Sequence, residues 1–353
     1  MPTVIIKDPL RSSVEAASGG SQTVLYDDKG NPSIMNIIPK FRLEDVNESL
    51  GTGVHPAFIK GGVEKSEIFI STYKNVVLDG RAVSMPGVKF SFATRANARN
   101  YCKSKGAGWH LMTNHEWAAL ALWCAARGIK PTGNTNYGRS HVRKYETGVR
   151  FDGKAPGDTS GEPYTLTGSG PKEWTHDQTP NGIADVVGSC SEIVDLLDLR
   201  EGRFYTPLDN NFDLEESSWP AMDLYVDAKT AGTNDSTQQS NCGVLFSDAV
   251  TKKTNEEGWT NPDYGSVTWS SIEFKSGLSV PLLAKQLMIA PLESAGASEF
   301  SKLSEGSFYF RNQGTRIALR CGYYYNGSHA GLGYLLMNND TTNANAFRAA
   351  FIE

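Results

Sequence analysis

His115 and Glu116 open the H-E-x-x-H pattern, in which two histidines one helical turn apart hold zinc and the glutamate activates water. The fifth position is Ala119, so the second ligand is missing. Gly168 to Lys172 (GSGPK) puts a lysine after glycines without the spacing or preceding apolar strand of a phosphate cradle, and reads as a turn. Among six histidines only His110 and His115 are close in sequence, and no G-x-S-x-G elbow is present. Cys102, Cys124, Cys190, Cys242 and Cys321 form no C-x-x-C pair, so neither a zinc ribbon nor a dense disulfide framework is written here. They read as mostly buried thiols. An odd count leaves at least one unpaired within the chain. The expectation is a protein with no catalytic residue, no cofactor and no metal ligand.

A different chemistry gathers at the end of the chain, in RCGYYYNGSHAGLGYLLMNND from Arg320. Between Gly322 and Ala346 stand four Tyr, five Asn and four Gly, with Asp340 the only acidic or basic side chain. Tyrosine offers a large, rigid, amphipathic surface at low entropic cost, and Ser, Gly and Asn add adaptable hydrogen bonding, the mixture that binding surfaces favour. Two plainer readings stand beside it. The asparagines could be turn formers. Tyr323 to Tyr325 could be one strand, with Tyr324 in the core and its neighbours outside.

The elements that must position this block are only partly legible. A chain of 353 residues with 39% hydrophobic content can bury a large core. No apolar run is long enough for a membrane helix and no Sec-type signal is visible, which predicts synthesis in a cytoplasm and no membrane insertion. A net charge of −5 with interspersed signs argues against a nucleic-acid partner. Residues 33–43 and 66–85 carry short β-type runs. One helix is expected over residues 92–105, with Phe92, Ala96 and Tyr101 on a face and Gly106 and Gly108 as stops. A second is better signed: Thr113 and Glu116 make a capping box, Trp117, Leu120, Ala121 and Cys124 follow at helical spacing, and Gly128 ends it. Residues 1–32 read as a polar leader, flexible or docked on a partner. A low-pattern insertion is expected from about 199 to 306.

Three stretches resemble the formylglycine-generating-enzyme type of C-type lectin fold. GWHLMTNHEWAALALWCAARG (residues 108–128) has the rhythm of that family's R-L-P-T-E-A-E-W-E-Y-A-x-R-G. TPNGIADVVGSCSEIVDLL (179–197) is similar to P-N-G-L-Y-D-M-x-G-N-V-W-E-W, keeping Gly188 and Glu192 but placing Ser189, Ser191 and Ile193 where Asn and two Trp are usual. Arg320-Cys321 with Asn345 to Ala349 resembles the closing R-C-A … N-L-G-F-R-C-A. The resemblance implies one α+β, loop-rich domain over 33–353, with two main helices, short antiparallel strands and Trp117 and Phe347 in the core. Enzymes of the family hold copper on two cysteines five positions apart; here these positions are Arg316 and Cys321, so no oxidase is expected.

The block from Arg320 onward, about 320–350, also resembles the variable region of diversity-generating-retroelement proteins, commonly R-G-G-N-W-N-N-G-S-N-A-G … F-R-A-A. In such systems adenine-directed mutation turns Asn codons into a set excluding Lys, Glu, Gln, Trp and Met; between Gly322 and Ala346 only Met337 lies outside that set. The resemblance implies a receptor-binding protein of a virus or phage tail fibre, its partner a host-cell surface protein or glycan, with a homo-oligomer or tail-fibre contact through the N-terminal region. A cell-surface ligand binder is the alternative. On this basis the ligand-binding residues are Tyr323, Tyr325, Asn326, His329, Tyr334, Leu336 and Asn338.

Overall fold

The computed structural model describes residues 8–230, 242–254, 265–291, 306–339 and 344–353. The rest of the expected leader, insertion and variable block lies outside the described residues.

The best-signed helix forms as read. In α3 (Asn114–Ala126) the Thr113 hydroxyl accepts the Glu116 N–H, and the Glu116 carboxylate accepts the Thr113 N–H at 2.8 Å, so both orphan donors are satisfied. Its burial is not a stripe. His115 through Leu122 are all buried, because α3 lies inside the core rather than on its surface. The other expected helix, α2 (Arg95–Lys103), begins after the Thr94 N-cap, so Phe92 is outside it and the buried positions are Arg95, Ala98 and Cys102. Moving the start rotated the face: Ala96 is exposed.

The leader is not separate. Residues 9–18 form α1 (Pro9–Ser18), capped by Asp8, and β1 (Gln22–Tyr26) pairs over its whole length with β2 (Pro32–Pro39). Val24 is fully buried and Thr23 donates to Glu15 at 2.6 Å, so the domain boundary expected at residue 33 falls inside a β-hairpin. Two small hairpins follow, β3 (Ile59–Lys60) with β4 (Val63–Glu64), and β6 (Val76–Leu78) with β7 (Arg81–Val83), flanking β5 (Glu67–Ser71). Five strands make an antiparallel sheet ordered β1-β2-β5-β19-β8, where β8 is Trp109–Leu111 and β19 is Ala349–Phe351.

The second sheet has ten strands. Its centre is β9 (Glu192–Arg200), β16 (Thr315–Cys321) and β17 (Gly331–Asn338), with β18 (Ala346–Phe347) also on β9 and β15 (Ser307–Phe310) parallel to β17. The expected insertion extends both edges: β10 (Arg203–Tyr205), β11 (Ala221–Asp227), β12 (Leu245–Ser247) and β14 (Glu273–Phe274) on one side, β13 (Gly265–Thr268) on the other. It also supplies α4 (Leu282–Gln286). The described chain is therefore an α+β protein of four α-helices and mostly antiparallel strands, two helices more than expected, and none is long and apolar enough to cross a membrane.

Where the sheets meet, charge is buried. Glu192 accepts from Arg348 Nε at 2.7 Å and from Lys74 Nζ at 2.5 Å, all three side chains being essentially solvent-free. Burial alone would raise the Glu192 carboxyl, but the two cations hold it below the ordinary carboxylate range. Phe347 and Trp117 are fully buried, as expected.

Candidate ligand-binding site

β16 ends in two consecutive left-handed residues, Cys321 (φ 80°) and Gly322 (φ 88°). A side chain at 322 would also stand 2.8 Å from the Ala330 methyl, so glycine is needed twice over. This breaks the strand and turns residues 323–330 into a loop. The three tyrosines therefore do not alternate across a strand. Asn326 Oδ1 accepts the Tyr323 N–H at 2.6 Å and closes the turn, so this asparagine is a turn former as well as a wall residue. The loop is held from outside: Tyr324 N donates to Ser189 O, Gly327 N to Thr135 O, and Tyr324 O accepts from Tyr137 N.

Those ties set the Tyr324 ring edge-on to Tyr325 and give it partners of its own. Tyr324 packs against Tyr137 and edge-on to Tyr164, at 5.4 and 5.0 Å between centroids. Tyr323 and Tyr325 turn the other way and stack in parallel at 5.4 Å, with the Tyr323 hydroxyl donating to Asn345 Oδ1 at 2.6 Å. Along β17, alternation brings Tyr334, Leu336 and Asn338 to the same side, and the parallel neighbour β15 adds Tyr309 opposite Leu336. Together these enclose an open pocket of about 400 Å³, walled by Tyr309, Phe310, Arg311, Tyr323, Tyr325, Asn326, Tyr334, Leu336, Met337 and Asn338.

Six of the seven residues selected from the sequence thus line one cavity. His329 does not: it is exposed beside the pocket, its Nδ1 2.7 Å from Ser307 Oγ and its ring edge-on to Tyr309. Tyr334 is in the wall but is only 2% exposed, so it is not a displayed residue. Tyr309, Phe310 and Arg311 were missed, since nothing in SFYFR marks them and only the parallel β15–β17 pairing carries them to the site. Burial raises the phenols of Tyr323, Tyr325 and Tyr334 above their ordinary value, so all are neutral hydroxyls at physiological pH.

The strand behind the pocket is pinned through its carbonyls. Trp117 Nε1 donates to Leu332 O at 2.9 Å, Trp269 Nε1 to Gly333 O at 2.6 Å, and the buried Arg320 guanidinium approaches Tyr334 O at 3.4 Å. A binding wall held on a packed frame keeps its geometry without help from the ligand.

The remaining candidates carry structural duties. Glu116 completes the helix cap, and His115 is buried with Nε2 3.1 Å from Pro207 O. All five cysteines are buried. Burial pushes the Cys321 thiol up to about 12, and its sulfur lies 3.0 Å from Gly188 O and 3.3 Å from Lys74 Nζ. No family model and no curated protein matches this chain.

Proposed function

We propose that the chain is a ligand-binding protein that displays a variable C-terminal face for attachment of a virus or phage to its host cell. The observation that carries this reading is the convergence of Tyr323, Tyr325, Asn326, Tyr334, Leu336 and Asn338 on one aromatic pocket set on a packed frame. Small-ligand sites are concave and set directed polar groups beside flat apolar area, and this pocket combines the two. The scaffold proposed is a C-type lectin fold of the formylglycine-generating-enzyme type. In its support, the three family-like stretches meet around Glu192: Thr113 forms a β-bridge with Asp195, Arg320 lies opposite Glu192 in the β16–β9 register, and Arg348 forks onto the Glu192 carboxylate. No turnover is proposed, since Cys321 is sealed from substrate and Arg316 stands where a copper site would need a second sulfur.

Two measurements test the reading. The coding sequence from Arg320 onward should have a near-repeat beside a reverse transcriptase gene, with differences confined to adenines of the repeat. Its absence removes the diversification. The double variant Tyr325→Ala, Asn338→Ala should lose attachment to the native target cell while keeping its melting temperature. Normal attachment would remove the binding face altogether.

A further inference from the structure

We infer that the ligand of the tyrosine pocket is a short, neutral glycan end, taken up without a metal ion. The inference rests on the binding reading above and narrows it to one ligand chemistry.

The described wall offers mainly two kinds of contact. Flat apolar area comes from the rings of Tyr309, Tyr323 and Tyr325 and from Leu336, and neutral hydrogen-bonding tips come from the phenols and the Asn338 amide. Among the described residues no carboxylate lines the pocket, so a cationic ligand would find π faces there without a counter-charge. Among the described residues Arg311 is the one charged side chain there, and it is already engaged within the chain. An anionic ligand would have to compete for it. A pyranose presents what this wall can satisfy: C–H faces that lie on aromatic rings, and a rim of uncharged hydroxyls that trade hydrogen bonds with phenols and amides. Size agrees as well, since about 400 Å³ falls within the range of small-ligand sites, roughly 300–1,000 Å³, and is narrow for a protein epitope. Among the described residues no group of three or more His, Cys, Asp or Glu stands together to hold a metal, so chelation should not matter.

The exposed plate is Tyr325, and the test turns on it. The purified full chain is titrated by calorimetry and saturation-transfer NMR, in EDTA, with lactose, cellobiose, maltotriose and N,N′-diacetylchitobiose, and with sialyllactose as the charged comparison. At least one neutral sugar should bind. Tyr325→Ala should weaken it by about thirty-fold or more, the usual loss for a buried aromatic anchor, and Tyr325→Phe by only a few-fold. Tyr145→Ala, an 81% exposed tyrosine outside the pocket, should change nothing. In parallel, periodate treatment of the native target cell should abolish attachment and protease treatment should not. Attachment that needs Tyr325 but survives periodate and falls to protease overturns the glycan while leaving the binding face intact. Binding to sialyllactose alone, or binding lost in EDTA, also overturns it. Attachment indifferent to Tyr325→Ala overturns both readings at once.

Discussion

Tyr325 is 53% exposed and stacked on Tyr323, whereas Tyr334, in the same wall, is only 2% exposed and lies 5.7 Å from the Tyr309 ring. Substituting them should therefore do different things. Tyr325→Ala should move the unfolding free energy by about 0.5 kcal/mol or less, while Tyr334→Ala should cost about 3–5 kcal/mol, as large buried aromatics do. Urea unfolding of the two variants decides it, and equal costs would contradict the burial difference. Tyr334, Leu336 and Asn338 were selected through the variable-region resemblance, and the alternation that puts them on one side belongs to β17, which was not read from the sequence. What alternation cannot show is which end of that side another segment covers. Gly306 approaches so closely that a side chain there would stand 2.6 Å from the Tyr334 nitrogen, and β15 closes over the same end.

At the scale of the element, β17 depends on helices and loops distant in sequence. Its neighbours leave the carbonyls of residues 332 and 333 to side chains, and two buried indoles take them. Trp269→Phe keeps most of the packing but strands the Gly333 carbonyl, which should cost about 1–3 kcal/mol, and amide exchange should quicken along β17 more than along β2. Unchanged protection of β17 would mean that the indole bond does not hold the wall. Helix α3 was readable because a capping box is a local pattern of four residues. Its Trp117 was rightly expected in the core, but the partner of the indole was not foreseeable, because Leu332 is 215 residues away. The helix α1 went unread for another reason: it is short and buries no residue, although Asp8 and Pro9 are proper start signals and Leu10, Val14 and Ala17 stand at helical spacing.

For the whole molecule, three buried imidazoles couple folding to pH. Burial lowers His55 to about 3 and His115 and His176 to about 4, and the Nδ1 atoms of His55 and His176 already accept backbone N–H groups, which fixes those rings neutral. Each lowered value means that the unfolded chain takes up a proton first, near pH 6.5. Stability from these groups is thus fully present above that pH and is lost as pH falls toward 4, by about 1.4 kcal/mol per pH unit for each histidine. Thermal melting should be nearly flat from pH 7.5 to about 6.5 and fall from there to pH 5, and His176→Asn, which keeps the acceptor, should make the fall shallower. A flat profile would contradict the buried, neutral rings. By itself the sequence determined what local chemistry can determine: an α+β chain, a capped and buried helix, thiols without metal spacing, and a terminal block of tyrosine, asparagine and glycine suited to contact. Only the tertiary structure decided that residues 22–26 belong to the first sheet, that the apparent insertion widens the second, and that Tyr309 joins the pocket while His329 stays outside it. The reason is physical: caps, turns and alternation act over a few residues, whereas strand pairing and ring-to-ring burial join segments that have no pattern in common until the chain has folded.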